Sequence, residues 1–203
     1  MRRCTIILPD AGPINSLWVA DRLDLLLALD MRLVIVDAVY DELTSDLSYR
    51  KDLEVKLFID RHQPPFIIEE TDIGRLEREK RQLGRKPKKN AGELAMVDFM
   101  SSEDGLARYL EADAPVAVLF EDAGFRVISK PPNLHLLSTV GLLRGLEDVG
   151  IIASADDIID AMLHPTAPGR RPADARSLTD LPTGTDEAAA IGSSWRPRGP
   201  GSA

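Results

Sequence analysis

The stretch Thr5-Ile6-Ile7-Leu8-Pro9-Asp10-Ala11-Gly12-Pro13-Ile14-Asn15 decides the fold. An apolar, β-branched run closes on Pro9 and then meets a carboxylate. Pro13 suits the first turn of a helix, because its fixed φ and missing N–H are no handicap there. The stretch therefore reads as strand, acid, helix, with the strand expected over Thr5–Leu8. In open α/β sheets, ligands bind outside the carboxyl ends of the strands. Asp10 stands at that position. The pattern returns downstream, where Val116-Ala117-Val118-Leu119-Phe120 runs into Glu121-Asp122. Two strand-end acids in one small domain point to a cation site.

Working outward, short apolar runs alternate with helical periodicity as far as residue 164. Further strands are expected over Leu33–Val36, Phe66–Ile68, Val116–Phe120 and Leu134–Leu137. Their near-continuous apolar character is that of parallel strands buried on both faces. Helices are expected over Asp21–Leu29, Val39–Leu43, Arg50–Arg61, Ile73–Leu83, Leu94–Met100, Val140–Leu146 and Asp157–Leu163. Alternation of this kind predicts an α/β domain with a central, mainly parallel sheet flanked by helices. Val19, Leu23 and Leu26 fit either the core or the face of a homodimer. From Pro165 to Ala203 the chain is rich in Pro, Gly, Ser, Thr, Arg and Asp. Such a segment buries too little apolar surface to offset the entropy of ordering it. The expected organisation is a domain over 1–164 and a disordered tail over 165–203, with deletion of 168–203 nearly neutral for stability.

Acids outnumber bases 33 to 25, for a net charge of −8. That balance excludes a protein whose whole surface binds nucleic acid, but leaves room for a local basic patch. One cysteine, Cys4, permits no internal disulfide and fits a reducing cytoplasm. No run approaches the roughly 18 apolar residues of a membrane span. His62, His135 and His164 show no metal-ligand spacing.

Two more acids stand out by setting. Glu42 lies in Val36-Asp37-Ala38-Val39-Tyr40-Asp41-Glu42-Leu43, and Glu93 in Asn90-Ala91-Gly92-Glu93-Leu94-Ala95-Met96. Each acid also has a plain structural role open to it. Asp10 suits a helix cap, Glu93 the partner of an Asn90 cap, Glu42 a solvated helix face, and Asp122 a turn. Convergence would change this. Two carboxylates about 4 Å apart repel by roughly 4 kcal/mol at an effective dielectric near 20. A cluster therefore needs protons, basic neighbours or a cation, and all-oxygen ligands favour Mg²⁺ or Mn²⁺.

In that order the segments around Asp10, Glu42, Glu93 and Glu121-Asp122, followed by Leu136-Leu137-Ser138-Thr139-Val140-Gly141, resemble a PIN domain over about residues 5–163. This is the metal-dependent ribonuclease fold of VapC-type toxins and related proteins. The resemblance implies a three-layer α/β/α fold and hydrolysis of RNA phosphodiesters with Mg²⁺ or Mn²⁺. It implies Asp10, Glu42, Glu93 and Asp122 as the catalytic and metal-site acids. Glu121 would be an auxiliary acid or a substitute for Asp122. Thr139 would be a helix cap or supporting donor, and Asn15 a supporting residue. For a toxin, the partner would be an antitoxin protein. The basic run Arg78, Lys80, Arg81, Arg85, Lys86, Lys88 and Lys89 precedes Glu93 and offers itself to an RNA backbone, or else to Glu77 and Glu79 as a solvated helix and loop. Two other readings stand beside the enzyme. One is a catalytically inactive PIN-like module that binds RNA or protein. The other is a receiver-like signalling module, suggested by strand-end acids and by Ser129-Lys130-Pro131.

Overall fold

The computed structural model describes residues 6–28, 31–102, 104–109, 116–121, 134–176 and 178. Five strands form one sheet: β1 (Ile6–Pro9), β2 (Arg32–Val36), β3 (Phe66–Glu69), β4 (Val116–Phe120) and β5 (Leu134–Ser138). Their order is β3-β2-β1-β4-β5, and every pairing is parallel. Leu33 to Val36 and all of β4 are buried, as their unbroken apolar sequence requires. Eight α-helices accompany the sheet among the described residues: α1 (Ala11–Val19), α2 (Asp24–Leu27), α3 (Asp37–Leu43), α4 (Arg50–Arg61), α5 (Asp72–Gln82), α6 (Ala91–Ser101), α7 (Thr139–Asp148) and α8 (Ala155–Leu163). A 3₁₀ turn over Leu106–Tyr109, absent from the sequence expectation, follows α6. None of the described helices is long and apolar enough to cross a membrane.

The expected helix over Asp21–Leu29 shrinks to Asp24–Leu27. Asp21 takes a left-handed conformation, with φ at 61°, which ends α1 and delays the next helix. Leu26 is fully buried, and Val19 and Leu23 pack against the same core. Those three residues are therefore explained by packing within the chain.

The register of β1 shapes the site. Its pairing with β2 runs through Ile7↔Leu33, whereas its pairing with β4 continues to Pro9↔Leu119. Pro9 offers no ladder donor, but it is the last residue of the strand, where the loss is tolerated. The next N–H, from Asp10, donates to the Leu119 carbonyl at 2.8 Å. Asp10 is thereby held against the end of β4. Strand order also reverses here: β1 leads to β2 on one side and receives β4 on the other.

A buried acid ties α3 to α5. Asp37 is 3% exposed, and its Oδ1 accepts from the Thr71 hydroxyl at 2.7 Å and the Thr71 N–H at 3.2 Å. Its Oδ2 meets Arg78 Nη1 at 2.5 Å. Thr71 also caps α5 by accepting from the Gly74 N–H at 2.9 Å. Both helices pack on α6, which itself lies against β2.

The chain does not leave the domain at Pro165. Ala173 donates its N–H to the Met162 carbonyl at 2.9 Å, and Leu178 joins the hydrophobic core. The Arg170 side chain is 6% exposed; its Nη1 donates to the Val19 carbonyl at 3.0 Å, its Nη2 pairs with Asp21 at 2.6 Å, and its guanidinium lies 4.8 Å from the Trp18 ring centroid. Composition averaged over the tail conceals these few anchors. Deletion of 168–203 is therefore expected to destabilise the protein, against the sequence expectation. Arg170→Ala alone should lose about 2 kcal/mol from the desolvated cation–π contact and its hydrogen bonds. Urea unfolding of the two variants beside the parent checks this.

Candidate acidic site

Asp10 is the residue before α1, yet its carboxylate makes no capping bond to that helix. The capping role open to it in the sequence is thus not the one it takes. At the end of the neighbouring strand stands Glu121. Its Oε2 accepts from the Ser16 hydroxyl at 2.8 Å and its Oε1 from the Thr139 hydroxyl at 2.7 Å. Ser16 and Thr139 are 4% and 1% exposed, so each donor is fixed by the core around it. Burial pushes the Glu121 carboxyl up to about 7; the two hydroxyls pull the other way, and the charge of Asp10 adds to the rise. Gly12 leaves the space for this carboxyl, since a Cβ there would sit 3.2 Å from Glu121 Oε2.

Glu42 and Glu93 reach the same neighbourhood from α3 and α6. The position between them is Gly92, where a Cβ would lie 3.6 Å from Glu42 Oε2 and 3.9 Å from Asp10 Oδ1. Glu42 and Asp10 therefore flank one glycine at the start of α6. Crowding by the protein on its inner side raises the Glu42 carboxyl; Lys51 and Arg81 oppose this and Glu93 adds to it. Asn90 precedes α6 without a side-chain cap bond. Asp122 lies outside the described residues. The acids form a row from Glu121 through Asp10 to Glu42 and Glu93. Among the described residues, no three His, Cys, Asp or Glu side chains gather closely enough to grip one ion.

Thr139 acts as a donor to Glu121, and the cap of α7 is its neighbour Ser138, which accepts from the Gly141 N–H at 2.9 Å. Ser16, absent from the sequence expectation, is the matching donor from α1. Its sequence signal is its place six residues past Asp10, about one and two-thirds helical turns on. Asn15 has a buried Oδ1 without a hydrogen-bond partner among the described residues.

The basic run divides. Arg78 serves Asp37 and also approaches Asp41 at 3.7 Å, and Arg81 lies 3.4 Å from Asp41. Lys80 pairs with the buried Glu77 at 2.5 Å, and Glu77 also accepts the Lys88 backbone N–H at 2.9 Å. Arg78 and Lys80 thus brace the fold. Arg85, Lys86, Lys88 and Lys89 have exposed side chains on the loop that leads to α6. Asp98 lines a cleft of about 300 Å³ with Glu70, Asp72 and Arg108, a lining that does not include Glu93. His62 bonds the Phe58 carbonyl at 2.7 Å, and His164 pairs with Asp160 at 2.9 Å; neither approaches the acids.

No family model matches the chain, and no curated protein or solved structure matches it.

The raised Glu121 carboxyl has a stability consequence. Because the native state binds its proton more tightly than the unfolded chain, the contribution is complete below the ordinary value of 4.5 and is lost as pH rises through about 7. Glu121→Gln keeps a neutral side chain that both hydroxyls can bond. In EDTA, this variant should match the parent near pH 4.5 and exceed it at pH 8 by a few kcal/mol. Urea titrations at the two pH values check it, and equal stability at pH 8 would refute the assignment.

Proposed function

We propose that the chain is a PIN-like α/β/α protein that hydrolyses RNA phosphodiester bonds with Mg²⁺ or Mn²⁺. One observation carries the reading. Asp10 and Glu121 stand side by side beyond the carboxyl ends of β1 and β4, where the strand order reverses and where such sheets bind ligands. The donors are hard carboxylate oxygens, which suit these cations. In the proposed set Asp10 would bind the cation directly, Glu42 and Glu93 would reach it through its bound waters, and Asp122 would be the fourth acid. Bound there, the cation would offset charge on the scissile phosphate and on the attacking and leaving oxygens.

The chain's own residues do the rest. β1 and the Leu119 carbonyl fix the Asp10 backbone. Ser16 and Thr139 orient Glu121 beside Asp10. Gly92 keeps the gap between Asp10 and Glu42 open.

A second reading is a PIN-like module that binds RNA or a protein without cleaving. It is favoured by the spacing of the described acids, which form a row with no closed trio. The receiver-like reading has no such support, and Ser129-Lys130-Pro131 lies outside the described residues. An antitoxin partner, a homodimer and a cytoplasmic location remain proposals tied to the resemblance.

The deciding experiment incubates the purified protein with a mixed RNA pool in Mn²⁺ and in EDTA. Cleavage in Mn²⁺ alone supports the enzyme. RNA retention without cleavage supports the second reading.

A further inference from the structure

Two cations stand on either side of the segment that carries Glu42, and sequence reading singles out only one of them for RNA. Arg81, near the end of α5, reaches Asp41 with Nη1 at 3.4 Å, one residue before Glu42. Lys51, near the start of α4, approaches from a different helix. Its Nζ lies 3.2 Å from Asp52 Oδ1. Asp52 is buried, and its Oδ2 takes the Ser45 hydroxyl at 3.1 Å and the Asp46 N–H at 3.0 Å. Those bonds fold the turn that follows Glu42 back onto the start of α4, and Lys51 comes with it.

Both side chains are about two-thirds buried, with 33% and 34% of their surface exposed. Their stems are therefore held in place while their heads keep contact with water. Each spends only part of its donor capacity on its acid. A lysine ammonium has three N–H donors and an arginine guanidinium five. Beyond Arg81, the exposed Arg85, Lys86, Lys88 and Lys89 continue the same charge toward α6.

We infer that Lys51 and Arg81 are two fixed anchors of a phosphate track that crosses Glu42 and carries a single-stranded RNA backbone past the acidic row. The inference rests on the ribonuclease reading for the identity of its ligand. Anchors from two helices around one acid solve a physical difficulty: a polyanion brought to a row of carboxylates must be held by cations beside them. Lys51 and Arg81 are positioning residues that set where the chain lies.

The test uses the full chain carrying Asp10→Asn and a fluorescent single-stranded 12-nucleotide RNA, with binding followed by polarisation across a salt series in Mn²⁺. Replacing Lys51 or Arg81 by glutamine should weaken binding and lower the slope of log affinity against log salt by about 0.7 for each phosphate no longer neutralised. Arg75→Gln, which removes an exposed charge paired with Asp72 elsewhere on α5, should leave the slope unchanged. Lys51→Arg and Arg81→Lys should restore it, a rescue that a merely structural role does not predict. No RNA binding, an unchanged slope in Lys51→Gln, or an equal loss in Arg75→Gln would each overturn the track. Absence of cleavage by the parent protein leaves these slopes intact, so the two readings fail separately.

Discussion

Gly74→Ala is expected to lower the midpoint of thermal unfolding by roughly 10 °C, corresponding to about 3–5 kcal/mol. A Cβ at position 74 would lie 2.1 Å from Asp37 Oδ1 and 2.2 Å from both Cγ and Oδ2. No side-chain adjustment of a few tenths of an ångström relieves overlap with an entire carboxylate. Asp37 must move, and it then gives up Thr71 and Arg78 within a buried pocket. Breaking a buried ion pair costs more than forming it returns, because the remaining charge has lost its water. Helix propensity offsets only part of this loss, since alanine in a helix is worth about 1 kcal/mol over glycine. A double-mutant cycle separates the causes. In an Asp37→Ala background the clash is gone, and Gly74→Ala should become nearly neutral. Costs that simply add would show that the carboxylate is not the obstacle.

Asp10→Asn is expected to reduce Mn²⁺-dependent RNA cleavage by on the order of 100-fold or more, since even the partners that orient metal ligands are worth 10- to 100-fold. Stability should change little. The Asp10 backbone N–H, which bonds Leu119, is untouched. Asparagine is also a good residue before a helix. Loss of the charge should let Glu121 fall toward its ordinary range, because Asp10 is one cause of its rise. Activity equal to the parent's would end the ribonuclease reading; an unfolded variant would mean that the acid is structural.

The parallel sheet was legible because β2 and β4 are apolar runs of strand length bounded by clear breaks. The expected ranges differ from the observed ones mainly at the ends, as at α6, which begins at Ala91, ahead of Leu94. Asp10 and Glu121 were legible as strand-end acids. What sequence could not supply was the division of labour around them. Ser16 is an ordinary helical serine until β4 brings Glu121 beside it, 105 residues away. Arg78 and Arg85 look alike in a basic run, yet one completes a buried pair and the other faces solvent. Arg170 sits in a segment whose composition argues for disorder, and only the distant Trp18 and Asp21 make it an anchor. Each of these assignments depends on a long-range contact, which local pattern does not encode.

The register of β1 carries a cost during synthesis. Ile6 finds Arg32 soon after it is made, but its other partner, Val116, comes much later. At about 5–20 residues per second, a nascent chain spends several seconds with one edge of β1 unpaired. That edge is apolar and presents open backbone groups, the kind of template on which neighbouring chains pair. Yield at 37 °C should accordingly respond more to translation speed before residue 116 than after it.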